Sequence, residues 1–376
     1  MKNISLATLL TLSVALTGCA TLFRFGEGHI PPATYWVYVG SEAADLLQRV
    51  RYGPDGAVVE QTSAIGELET EIEGPHGLAI SPDGRHVYVS TGHGLPDGKL
   101  WKFEAGPDTL VADPIPLDRF PATVSVTPNG LYAFVANQAL YGEPGPSSLS
   151  VVFTPEMIET HRIETCGMPH GGRFSPDGRF HYSVCTLDGL LVEVDATTFA
   201  VTRRLELGSP PPVAPAPGAA PTTPPTPCSP TWVAPVPEGS TLWIACDGSN
   251  EVLEVDLEQW WVVRRVPVGG GPYELAISPD GRWLVVTLRA RNAVQFLDLT
   301  WITPPVIVPT TSVLPHGVAI SPDSRYAFVS VEGRGGEPGL IEIYLLETAK
   351  RVATIAVGPQ PAEIAVWRYE EGVATD

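Results

Sequence analysis

The chain has 376 residues, with 23 Lys and Arg against 42 Asp and Glu, a net charge of −19 at pH 7 with histidine neutral. So acidic a surface repels phosphate backbones, which excludes DNA and RNA as natural partners. Length alone allows two domains, but one repeat runs through the chain without a break and predicts a single closed body, read as a monomer.

The N-terminus comes first. Lys2 precedes an apolar stretch over residues 4–16 that is too short for a bilayer span, and Leu16-Thr17-Gly18-Cys19 follows. This resembles the lipobox of bacterial lipoproteins. The resemblance implies a signal peptide over 1–18, lipidation of Cys19, and a tether over 19–33. Ala20 stands where retention in the inner membrane would place an aspartate, so the resemblance implies an exported protein held to the outer membrane by its lipid.

From residue 34 the pattern is strand and turn. Tyr35-Trp36-Val37-Tyr38-Val39-Gly40 reads as a strand that lacks its usual predecessor. The complete phrase then runs from Pro75 to Ser90: Pro-His-Gly-Leu-Ala-Ile-Ser-Pro-Asp-Gly-Arg-His-Val-Tyr-Val-Ser. Copies begin at Pro121, Pro169, Pro230, Pro272, Pro315 and Pro361, at spacings of 46, 48, 61, 42, 43 and 46 residues. Each copy predicts strand, tight turn, strand. In the copy at Pro272 the strands are 274–278 and 283–287, and Pro279-Asp280-Gly281 supplies the turn. A third strand (292–299) and a weaker fourth (305–309) follow. Small four-stranded sheets at this period must stack to bury their faces, and radial stacking gives a β-propeller. The last copy, Pro361-Ala362-Glu363-Ile364-Ala365-Val366-Trp367, is a first strand without its second. Pairing it with the N-terminal strands completes seven blades over 34–370, with a tail at 371–376, and leaves no open sheet edge.

The repeat resembles the YVTN-type propellers of surface and periplasmic proteins, whose consensus reads Pro-x-Gly-Val-Ala-x-Ser-Pro-Asp-Gly and then Val-Tyr-Val. The resemblance implies the fold far more than any activity. Some seven-bladed relatives resemble lactonases.

The 61-residue spacing contains Ser209 to Pro227, in which nine of 19 residues are proline. Such a segment favours polyproline II and reads as a surface insertion in a loop. Beyond Cys19 there are four cysteines, and an even number in an exported chain favours bridges over a metal site. Cys185 and Cys246 end second strands, while Cys166 and Cys228 lie just before the first strands of the same copies. The expected disulfides are Cys166–Cys185 and Cys228–Cys246, each within one blade, with Cys185–Cys246 as the next pairing.

Chemistry is expected where inner strands begin, at the channel mouth. Three copies carry histidine directly after the motif proline: His76, His170 and His316. Their blades are spread around the ring, so the imidazoles approach the axis from three sides. They form a candidate site for zinc, copper or iron, with Glu274 or Glu363 as general base. His93 and Arg289, on loops of the same face, are candidate ligand contacts together with Tyr273 and Trp232. No His-Glu-x-x-His, Gly-x-Ser-x-Gly, Walker loop, Cys-x-x-Cys or haem-attachment motif occurs. The first reading is a scaffold that binds an envelope protein or small ligand. The alternative is a metal-dependent enzyme, first a lactone or ester hydrolase, then an oxidoreductase.

Overall fold

The computed structural model describes residues 29–68, 70–93, 98–141, 145–208 and 227–372. Cys19 and residues 209–226 lie outside that range. Seven sheets of four antiparallel strands surround a central channel, the seven-bladed all-β propeller expected from the repeat. The blades are numbered here by their motif copies. Their innermost strands are Pro75–Ile80, Pro121–Val126, Pro169–Phe174, Pro230–Pro235, Pro272–Ile277, Pro315–Ile320 and Pro361–Glu371. In blade seven the C-terminal strand pairs with Ala33–Ser41, in register Val37 to Val366 and Val39 to Ile364, and Leu46–Gly53 and Gly56–Ala64 follow outward.

The turn chemistry repeats as the motif does. Ser81 Oγ donates to Asp83 Oδ1 at 2.6 Å, and Asp83 Oδ1 also accepts from the Arg85 amide at 3.0 Å. Ser175–Asp177 and Ser321–Asp323 repeat the contact at 2.6 Å, and Thr127–Asn129 repeats it at 2.7 Å. The aspartates closing third strands serve the next turn: Asp195 Oδ1 accepts from the amides of Thr197 and Thr198, both at 2.8 Å. These local bonds hold the turns that carry them.

The apolar core lies between blades. Seven buried clusters each draw on two neighbouring blades, from Tyr38 with Val87 (seven and one) to Phe328 with Tyr35 (six and seven). Trp243 and Trp283 belong to two of them, which makes them packing residues, as their second-strand positions imply.

Both expected disulfides are present, with sequence separations of 19 and 18. The placement of the first needs correction. Cys166 lies on Ile158–Gly167, the outermost strand of blade two, so its bridge to Cys185 joins blades two and three. The reason is the handover between blades: the outer strand runs to Gly167, two residues before the next motif proline, leaving no separate lead-in segment.

Candidate functional site

Each inner strand begins with a bulge. In blade one the pairing with the second strand slips between Pro75 and Leu78, and blades five and six slip at the same place. In blades one, five and six the amide freed by the bulge is caught by a hydroxyl of the second strand, which also holds the next blade. Ser90 Oγ accepts from Gly77 N at 3.0 Å and donates to the Ala122 carbonyl at 3.3 Å. Thr287 Oγ1 accepts from Glu274 N at 3.0 Å and donates to the His316 carbonyl at 2.8 Å. In these blades the residue after the motif proline is thereby held at the channel mouth.

Four rings meet there in a closed circuit. Centroid separations are 5.3 Å for His76–His316, 4.7 Å for His316–Tyr273, 5.5 Å for Tyr273–His170 and 6.2 Å for His170–His76. All three histidines are buried. The structure brings the three imidazoles together at the channel mouth and adds a residue the sequence reading missed. Glu42, on the loop after the first strand of the chain, hydrogen-bonds His76 Nδ1 through Oε1 and lies 3.4 Å from His93 Nε2 through Oε2. One ligand atom each from Glu42, His76 and His316 fall within 4.8 Å of one another. Glu42 sits at the same loop position as Arg289 in blade five and Glu332 in blade six, directly after the second strand. That register was the available signal.

His170 stands apart from this group. Its Nδ1–H donates to the Thr231 carbonyl at 2.6 Å, which leaves Nε2 to accept from the Tyr273 hydroxyl at 3.2 Å. Burial, with His76 and Arg289 nearby, holds its pKa down to about 4, so it is neutral. Burial also holds His316 well below the ordinary range, and its Nδ1 is buried without a partner. For His76 burial pulls downward, but the Glu42 carboxylate overrides it and raises the imidazole. Burial would raise Glu42; contact with His76 wins and holds the carboxyl far below the usual range. Arg289 pairs with Glu332 and lies over the Tyr273 ring, 4.7 Å from its centroid. His93, at the rim, is 2.9 Å from the Tyr141 hydroxyl through Nδ1.

Glu274, Glu363 and Trp232 form a deeper layer. Glu363 accepts from Leu78 N at 2.9 Å and from Arg173 Nη2 at 2.7 Å. Trp232 is 2% exposed and separates the layers, its ring 5.6 Å from His170 on one side and 4.8 Å from the Arg173 guanidinium on the other.

The donor set fits a transition metal. A carboxylate and two imidazoles are the three protein ligands of many catalytic zinc sites, and they also suit iron. The partnerless nitrogen of His316 is the kind of buried atom that a ligand satisfies.

No family model matches this chain, and no curated protein matches it. Solved structures do. Hydrazine synthase of Kuenenia stuttgartiensis is 19% identical with a TM-score of 0.64, covering 80% of this chain and 91% of that one. A Bacteroides uniformis protein provisionally described as a 6-phosphogluconolactonase is 14% identical with a TM-score of 0.70, covering 89% and 100%. A functionally unknown protein of Desulfotomaculum acetoxidans is 13% identical with a TM-score of 0.68, covering 88% and 98%. At these identities the likeness is one of fold.

Proposed function

We propose that this protein is an exported, lipid-anchored propeller of the cell envelope that hydrolyses a small lactone or ester at a metal held by Glu42, His76 and His316. The observation that carries the reading is the convergence of one carboxylate and two imidazoles at the channel mouth, with His316 Nδ1 left without a protein partner. Bound there, a divalent metal supplies Lewis acidity toward a carbonyl oxygen.

The surrounding residues divide the remaining work. Neutral His170, oriented by the Thr231 carbonyl, accepts from Tyr273 and so aims that hydroxyl. The phenol stays protonated because burial raises its pKa; its single O–H is given to His170, so its oxygen serves as an acceptor toward the mouth. Arg289, held by Glu332 and stacked on Tyr273, places a positive charge at the same rim. Phe120 packs edge-on against both rings, 5.2 Å from His76 and 5.1 Å from His93. The lactonase description of one structural neighbour agrees with this substrate class. Placement in the envelope draws on the Cys19 motif and on two disulfides, which suit an oxidising compartment.

The test is turnover of a panel of lactones and esters by the metal-loaded protein, with His316→Ala and Glu42→Gln as controls whose disulfides and unfolding midpoint are checked. Hydrolysis lost in both variants, with the fold retained, supports the reading. Metal uptake without turnover of any substrate leaves the propeller as a ligand- or protein-binding scaffold. Acyl labelling that disappears in Cys19→Ser tests the anchor.

A further inference from the structure

On the face opposite the histidines the channel opens as a cavity of about 620 Å³, within the range of small-molecule sites. Its walls are the far halves of the inner strands and are mostly apolar, with Leu78, Val126, Ile277, Ile320 and Val366 among them. Its polar groups include Arg173, Glu274 and Glu363, the three charged side chains that line it.

The three groups there are not equally satisfied. Arg173 gives Nη2 to Glu363 and Nη1 to the Gly172 carbonyl at 2.9 Å, while its face is covered by Trp232. Glu363 uses both oxygens, one for Arg173 and one for Leu78 N. One cation and one anion therefore cancel. Glu274 remains, 1% exposed, with Oε2 buried and without a hydrogen-bond partner. Burial and the Glu363 charge keep this second carboxyl protonated, and a cationic ligand beside it favours its ionisation.

We propose that this cavity binds a small organic cation, a primary or secondary amine on an apolar body, whose ammonium meets Glu274 Oε2. The ammonium donates to the one orphaned acceptor, and the apolar body covers the aliphatic walls. Trp232 and the layer around it separate this site from the histidine mouth, so the inference stands independently of the proposed hydrolysis.

The experiment is isothermal titration of the full mature chain, in EDTA to keep metal out of the other face, with n-hexylamine, n-hexanol and hexanoate. The expected result is hexylamine bound at least tenfold more tightly than hexanol, with hexanoate weakest. Glu274→Gln removes the preference for the amine while hexanol binding persists. Ala276→Phe, which narrows the cavity without touching the carboxylates, weakens all the ligands. Equal binding of the three probes by the wild-type chain overturns the proposal, whatever the variants do. So does an amine preference that Glu274→Gln leaves intact, or amine binding that Ala276→Phe does not change.

Discussion

Two glycines separate steric from conformational demand in this fold. A Cβ on Gly281 would meet nothing within 4 Å, but the residue has φ +72°, so alanine there carries only the cost of a left-handed backbone. That cost is about 1 kcal/mol. Gly77 has no such φ, yet its Cβ would lie 2.0 Å from the Ala122 carbonyl oxygen and 2.7 Å from Ser90 Oγ. Carbon–oxygen contacts of this kind settle near ~3.3 Å, so the inner strands of blades one and two would have to part by more than about 1 Å. Overpacking of that size costs about 3 kcal/mol, and loss of the Gly77 N to Ser90 bond adds about 1 kcal/mol. The assay is urea unfolding of Gly77→Ala and Gly281→Ala followed by tryptophan fluorescence. Gly77→Ala should lose roughly three to four times as much stability. Because Gly77 follows His76, it should also disturb the metal group, which Gly281→Ala leaves alone. Equal losses, or a greater loss for Gly281→Ala, would refute the claim that close approach of inner strands sets the mouth.

Other expectations follow from the same geometry. The two disulfides close loops of 19 and 18 residues, and each should contribute about 3 kcal/mol in the chain-entropy model, read as a lower urea midpoint in Cys166→Ser/Cys185→Ser and in Cys228→Ser/Cys246→Ser. A midpoint unchanged in either pair counts against it. Burial first, and the Glu363 charge second, hold the Glu274 carboxyl well above the ordinary glutamate range. The folded chain therefore keeps a proton that the unfolded chain has lost, and stability falls as pH rises above about 5. Glu274→Gln should flatten that fall, and an unaltered stability–pH profile would contradict the assignment. Loss of the Arg203 guanidinium in Arg203→Met, which removes the cation paired with buried Glu193 and stacked on Trp260, should cost about 3 kcal/mol, again by urea midpoint.

The architecture was legible because its signals are local. Pro-Asp-Gly turns, the hydroxyl–Asp bond beside them and the unmatched strands at the two termini each specify a piece of one blade, and stacking follows from what one blade cannot bury. The site was half legible. His76, His170 and His316 share a motif position, so the ring brings them together. Glu42 escaped because its blade is assembled from both chain ends: the loop carrying it lacks a motif proline upstream, and only the register shared with Arg289 and Glu332 marks it. Glu274 and Glu363 follow their neighbours Tyr273 and Ala362 by one residue, yet the bulge and the pleat send them to the deeper layer, against Arg173 and the next blade's amide. Cys166 was set in the wrong blade because no residue marks where an outer strand ends and the next inner strand begins.

The central claim is that Glu42, His76 and His316 hold a metal. Elemental mass spectrometry of the mature chain, produced without affinity histidines and equilibrated with zinc, iron, copper and manganese in turn, tests it most directly. The account predicts near-stoichiometric retention of one of these metals, lost in Glu42→Gln and in His316→Ala while Gly281→Ala retains it. A chain that stays metal-free after all four ions, or variants that keep the wild-type content, would contradict it.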